Sequence, residues 1–287
     1  MPELPEVELV KRDLSAVEGL TVDEVTVSDY VTSGHEAGRK TIIKQPVPLF
    51  VGEMTGAEII KVGRRGKYLY FILKKFEETY YLMSHLGMSG GYFHVRSFND
   101  IQELNYRKHW QVQFTLSDGT FLVYSDIRRF GEMQVVPSFS AFLPLSAMAP
   151  EYTDAASREY FLHQLSKDKY QNKQIKAVIM DAGVIPGVGN IYASESLYSA
   201  GILPSRKVRY ISKARLNTLF DEIVNVFELS LLNGGSTISD YRSLSGSSGK
   251  MQDRFNVYQK KTCPKGHEIK TKIIAGRNTF YCTRCQK

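Results

Sequence analysis

The chain has 287 residues, 43% hydrophobic and 23% charged, with 37 Lys and Arg against 30 Asp and Glu. This composition excludes a disordered polar chain, and no run approaches the ~20 apolar residues of a membrane span. Residues 254–287 hold nine basic side chains (Arg254, Lys260, Lys261, Lys265, Lys270, Lys272, Arg277, Arg284, Lys287) against Glu268 alone. Residues 1–253 carry 28 basic and 29 acidic residues, so all of the formal +7 charge comes from the C-terminal segment. Such asymmetry points to a polyanion as partner. The length predicts about two domains with a small appendage.

The chain opens Met1-Pro2-Glu3-Leu4-Pro5-Glu6. Removing Met1 would leave Pro2 as a secondary α-amine, which titrates near ~7.7–8 against ~10.4 for lysine. Partly unprotonated at neutral pH, it can attack an electrophilic carbon and form a Schiff base. Glu3 and Glu6 stand close enough in sequence to move protons. The same residues also suit a helix start, with Pro5 in the first turn and Glu6 and Glu8 near the positive end of the dipole. A helix is predicted over 5–18, stopped by Gly19.

Strand patterns follow up to about residue 137. Residues 67–73 are rich in aromatic and branched side chains. Residues 110–116 alternate with period two and lead through Ser117-Asp118-Gly119 to 121–124, a hairpin signature. Several strands with helices at the edges predict a β-sandwich or flattened barrel. Helical spacing takes over at 155–166, 173–182, 191–200 and 212–232, the last capped by Ser212 and ended before Gly234-Gly235. Between the second and third helices, Gly183–Asn190 combines a proline with three glycines and predicts two tight turns capped by Asn190. Its amides are suited to an anion such as phosphate at a helix N-terminus. Residues 243–249 are Ser/Gly-rich and read as a mobile loop.

All three cysteines lie in the basic segment, as C-x3-H-x14-C-x2-C: Cys263, His267, Cys282 and Cys285. Two ligand pairs joined by extended segments (272–274 and 278–281) predict a β-hairpin stapled by one structural zinc. An odd cysteine count with no signal-peptide pattern argues against a disulfide framework.

With these pieces assembled, the chain resembles the formamidopyrimidine-DNA glycosylase/endonuclease VIII family over nearly its whole length. The resemblance rests on the PELPEVE start, Arg64-Arg65-Gly66-Lys67-Tyr68, His85-Leu86-Gly87-Met88-Ser89-Gly90 and Asp126-Ile127-Arg128-Arg129-Phe130-Gly131. It continues through Gly187-Val188-Gly189-Asn190-Ile191-Tyr192-Ala193, Gly234-Gly235-Ser236-Thr237 and the terminal hairpin. Leu4 is similar to the formamidopyrimidine branch, where the endonuclease VIII branch usually has Gly.

The resemblance implies an α+β multidomain fold. Its parts would be an N-terminal β-sandwich with flanking helices (1–143), a helix–two-turns–helix domain with a lesion-covering loop near 243–252 (144–253), and a zinc-finger β-hairpin (254–287). It implies a bifunctional glycosylase/AP lyase of base excision repair acting on oxidised purines (8-oxoguanine, formamidopyrimidines). Pro2 would be the nucleophile, Glu3 the general acid/base, Glu6 an orienting group and Lys67 a contact to phosphate and lesion. Met88, Arg128 and Phe130 would fill the space left by the everted base. His85, His109, Asn190 and Arg277 would join Lys67 in gripping phosphates. The implied partner is damaged double-stranded DNA, with no membrane, bound by a monomer in the bacterial cytoplasm at the nucleoid.

Three positions depart from the family pattern. Gly266 replaces the second zinc cysteine and His267 follows it, Met251 replaces an aromatic in the Gly249–Gln252 segment, and Ile127 replaces a proline before Arg128. Two other readings stay open: an endonuclease VIII-like enzyme for oxidised pyrimidines, and a lesion-binding protein without catalysis, which retention of Met1 would produce.

Overall fold

The computed structural model describes residues 2–236 and 249–287. They form two compact units: Pro2, Glu6–Ser146, 234–236 and Gly249 in one, Glu3–Pro5, Ala147–Asn233 and Lys250–Lys287 in the other.

The chain begins with α1 (Leu4–Leu14). The expected helix of 5–18 tightens into a 3-10 turn at Ser15–Val17, and Gly19 with φ +83° ends it. The first unit then carries β1 (Val22–Val27), α2 (Asp29–Glu36), α3 (Val47–Met54), β2 (Glu58–Arg65), β3 (Tyr68–Lys75), β4 (Glu78–His85) and β5 (Gly90–Val95). It continues with α4 (Leu104–Lys108), β6 (Trp110–Leu116), β7 (Phe121–Asp126), β8 (Glu132–Val136) and α5 (Leu143–Ser146). The strands make two four-stranded antiparallel sheets, ordered β1-β6-β7-β5 and β2-β3-β4-β8. Period-two alternation assigns the faces. In β3, Leu69, Phe71 and Leu73 point inward to meet Val112, Phe114, Leu122 and Tyr124 of the other sheet in one core. Burying each such side chain contributes about 1.5–3 kcal/mol. The sheets are therefore the two layers of the expected sandwich.

The second unit carries α6 (Ser157–Ser166), α7 (Asp168–Gln171), α8 (Ile175–Ile179), α9 (Asn190–Ser199), α10 (Lys213–Leu232), β9 (Lys270–Ile274) and β10 (Arg277–Tyr281). α8 is shorter than the 173–182 expected. Its first amides pair outside the helix, Ile175 N to Arg206 O and Lys176 N to Pro204 O, and the chain turns at Asp181. α10 starts where Ser212 Oγ accepts from Arg215 N and buries Leu216, Leu219, Phe220, Ile223, Val226, Phe227 and Ser230 as a continuous helical stripe. The hairpin turns through Ala275 and Gly276, both at positive φ, as a two-residue connection favours. Its far end is tied down by Gln286, which accepts from Cys282 N and donates to Ile202 O.

Glu195 of α9 is 1% exposed and accepts from the backbone N–H groups of Asn256, Val257 and Tyr258. It thereby fixes the segment that leads into the hairpin. Glu195→Ala strands these three donors, of which Val257 N is buried and the other two half-buried, and at about 1–3 kcal/mol for a buried unsatisfied group it is expected to cost about 2 kcal/mol or more. Urea unfolding followed by far-UV circular dichroism checks this; a loss below about 1 kcal/mol contradicts the assigned role.

Candidate functional site

Glu3 is 2% exposed, and its carboxylate lies on the N-terminus of α9. Oε2 accepts from Gly189 N (2.7 Å) and Tyr192 N (3.2 Å), and Oε1 accepts from Ile191 N (2.8 Å). The amides expected to face a phosphate therefore hold an internal carboxylate, because a helix N-terminus favours any anion that reaches it. The glycines of the 183–190 segment make room. A Cβ on Gly189 would fall 2.3 Å from the Glu3 carboxyl carbon, and one on Gly187 (φ +91°) would fall 2.3 Å from Leu4 Cβ. Leu4 N also donates to Gly187 O, so residues 3 and 4 are anchored together.

Asn190 opens the same helix and reaches the hairpin, its Nδ2 donating to Asn278 O at 2.9 Å. Its Oδ1 accepts from Lys176 Nζ at 2.6 Å, and Lys176 also donates to Ile274 O. Lys176 is fully buried, a residue that the sequence reading missed. Burial pulls its pKa down to about 8; the nearby Arg277 charge pulls the same way and Glu3 opposes it. The one sequence signal was a lysine within the apolar stretch Ile175–Met180. Arg277 itself is exposed at the start of β10.

In the other unit, Pro2 is buried and Glu6 is 1% exposed. Ser236 N donates to Glu6 Oε1 at 2.8 Å, and a Cβ on Gly235 (φ +79°) would lie 3.3 Å from that oxygen. The Gly234-Gly235-Ser236 motif thus serves to cradle a carboxylate. The rest of that motif, Thr237, and the loop expected through 243–248 lie outside the described residues. Met251 is 1% exposed, so the residue that replaces the family's aromatic is a core residue of the second unit.

Lys67 is half-buried in the two-residue turn joining β2 to β3. Arg64 secures that turn by donating to Gly66 O and pairing with Glu8 of α1, both at 2.9 Å. Burial raises the Glu8 pKa, but Arg64 outweighs that with its hydrogen bond and charge, leaving it below the ordinary value. His85 ends β4 and stacks on Tyr68 with ring centroids 4.8 Å apart. Burial first, then the Lys67 charge, lowers its pKa to about 4, against a weak pull from Glu132. The ring is neutral at physiological pH. Gly87 N donates to Nδ1 (3.1 Å), which places the ring proton on Nε2.

The segments carrying Met88 and Arg128–Phe130 are packed together: a Cβ on Gly87 would fall 2.5 Å from Gly131 N. Buried Asp126 organises them, accepting from Ser89 Oγ (2.7 Å), Arg128 N (3.2 Å) and Gly131 N (2.7 Å). Arg129 turns the chain at φ +58° and lays its guanidinium 3.5 Å above the Tyr30 ring. Arg128 and Phe130 are left exposed, stacked on each other at 5.3 Å, while Met88 is half-buried. Ile127, where the family has proline, packs against Phe93, Ile101, Tyr106 and Val123. His109 ends α4, its carbonyl accepting from Asp126 N and its Nδ1 buried without a partner.

Cys263, His267, Cys282 and Cys285 place one ligand atom each within 4.8 Å of one another. The Cys263–Cys285 sulfurs are 3.9 Å apart, and His267 Nδ1 is 3.3–3.7 Å from the three sulfurs. A zinc tetrahedron with ~2.3 Å sulfur and ~2.0–2.1 Å nitrogen bonds has edges of about 3.5–3.8 Å, so the set suits that ion.

Family models match three stretches: the formamidopyrimidine-DNA glycosylase N-terminal domain over residues 1–133, its H2TH domain over 148–242, and the zinc finger found in FPG and IleRS over 261–287. The formamidopyrimidine-DNA glycosylase of Halalkalibacterium halodurans is 36% identical over the full length of both chains. A Lactococcus lactis FPG variant solved with Fapy-dG-containing DNA aligns over all of both chains at TM-score 0.84 and 29% identity. MutM in complex with carbocyclic 8-oxo-G DNA does so at 0.83 and 29%.

The neutral His85 has a consequence for stability. Its folded pKa lies below the ordinary 6.5, so the unfolded chain takes up the proton first. The stabilisation is complete above about pH 6.5 and is lost as pH falls toward about 4. His85→Gln is therefore expected to flatten the stability profile across that window, measured as urea midpoint against pH.

Proposed function

The chain belongs to the formamidopyrimidine-DNA glycosylase family, and from that premise we propose that Pro2, freed by loss of Met1, is the nucleophile that attacks C1′ of an everted nucleotide. The protein is a DNA glycosylase for oxidised purines, with the AP lyase activity general to its family. The secondary amine displaces the damaged base and leaves an iminium; proton removal from the sugar then drives β- and δ-elimination. The observation that carries this assignment is the buried Glu3 carboxylate, held beside Pro2 in the chain by amides of a helix 186 residues away. Three N–H donors fix the carboxyl group in place, with Oε1 accepting only one of them. Glu6, cradled by Gly235 and Ser236, orients the nucleophile's segment, and Lys67 supplies positive charge to the lesion's phosphate.

Duplex DNA hides the target, so the base must leave the stack. Met88, Arg128 and Phe130 fill the vacated space: the exposed Arg128–Phe130 pair offers a planar donor fork and an aromatic wedge. Phosphates are bound by Lys67 and Arg277 through charge, by His85 through its Nε2–H, and by His109 and Asn190. Cys263, His267, Cys282 and Cys285 are the ligands of the structural zinc, which folds the hairpin carrying Arg277 and takes no part in the sugar chemistry. Damaged double-stranded DNA is the partner and the enzyme acts as a monomer. No described helix is long and apolar enough to cross a membrane, and the bacterial relatives support action in the cytoplasm on nucleoid DNA. Leu4, seated against Gly187, supports the purine preference.

Borohydride trapping tests the mechanism on duplexes carrying 8-oxoguanine opposite cytosine, 5-hydroxyuracil, or an abasic site. A covalent adduct at Pro2 on the first is expected. Trapping on 5-hydroxyuracil alone would move the enzyme to pyrimidine lesions, and no adduct even on the abasic duplex would leave a binding protein. Pro2→Gly and Glu3→Gln are expected to abolish strand nicking while affinity for abasic DNA changes little; parallel loss of both counts against the roles given. Arg277→Ala should weaken binding and lower the slope of log K against log salt by about 1, the loss of one phosphate contact. Chelating the zinc should weaken binding as well, and undiminished affinity would remove the hairpin from the interface.

A further inference from the structure

Tyr198 stands in the last turn of α9, the helix whose first turn holds Glu3 and Asn190. Its hydroxyl donates to Cys285 Sγ at 3.9 Å, within reach of a sulfur acceptor. The ring packs on the cluster of Val257, Cys263, Ile269 and Cys282, so its direction is set by the core beneath the metal site. Cys285 is the least buried of the three cysteines. We propose that Tyr198 is a positioning residue of the zinc site, donating to the Cys285 thiolate and tying the metal to α9. This deepens the reading of Cys263, His267, Cys282 and Cys285 as ligands and rests on it.

Cys285 is thus the ligand residue among the cysteines with the most solvent around it. A zinc-bound thiolate keeps lone pairs and much of its negative charge, so a proton or a competing metal binder can draw it away. A hydroxyl donor spreads that charge and fixes the rotamer in which the sulfur faces the metal. Side-chain ties to the backbone at this corner point the same way: Gln286 donates to Ile202 O, and Arg215 donates to Gly201 O and Lys287 O. Helix α9 would thus be connected at its N-terminus to the catalytic carboxylate and at its C-terminus to the metal.

The test uses the full zinc-loaded chain and Tyr198→Phe, which keeps the ring and removes the hydroxyl. Zinc release into excess 4-(2-pyridylazo)resorcinol is followed by absorbance, and the sulfur-to-cobalt charge-transfer band is recorded after Co2+ exchange. Release about 10-fold faster is expected, the lower end of the cost of losing an outer metal-site partner, with the band moved to lower energy. Release within twofold of wild type and an unmoved band would overturn the proposal. Rapid release in Tyr198→Leu with a wild-type rate in Tyr198→Phe would also overturn it, assigning the effect to ring packing. A wild-type chain lacking stoichiometric zinc would instead overturn the ligand set, and the proposal with it.

Discussion

The carboxylate of Glu3 on the amides that open α9 is the interaction around which the second unit is arranged. A carboxyl group taken out of water needs several donors, and three backbone N–H groups at the positive end of a helix supply them. This demand explains the chain around it. Gly189 must lack a side chain, and Gly187 must turn with positive φ against Leu4.

From α9 the constraint passes outward through polar contacts that leave little slack. Asn190 is shared between Lys176 and the hairpin, and Lys176, buried with a lowered pKa, also holds the carbonyl before the hairpin turn. Glu195 gathers the incoming strand of chain, and the zinc ligands close the far end. A basic hairpin of this size has too little apolar surface to fold alone, so metal and helix together do what a core does elsewhere. The first unit uses a different device. Two sheets bury a common core, and Asp126 then gathers the loops that carry Met88, Arg128 and Phe130, leaving the Arg128–Phe130 pair exposed.

Much of this was legible before any coordinates. Period-two alternation marked β3 and β6, and the Ser212 cap and apolar stripe marked α10. Cysteine spacing announced the zinc hairpin, with His267 taking the place of a missing thiolate. Other features escaped. Lys176 looked like one lysine among many, since its burial depends on Asn190 and Ile274, which lie far along the chain. The helix at 173–182 shrank to α8 because residues 204–206 compete for its first amides. Gly234-Gly235-Ser236 read as a helix stop, and its grip on Glu6 depends on a carboxylate 230 residues away.

What the sequence determined by itself is what short-range chemistry decides. A proline amine behind a cleavable methionine, ligand types at zinc spacing, strand and helix periods, and a basic C-terminal segment are properties of neighbours in the chain. Only the tertiary structure decided which groups those properties meet. An amide-rich helix start will hold whichever anion reaches it, and in the fold that anion is Glu3. The reason is physical: local propensity involves a few residues at once, whereas the partner of a buried charge is chosen by long-range packing, where desolvation makes one arrangement far more favourable than the rest.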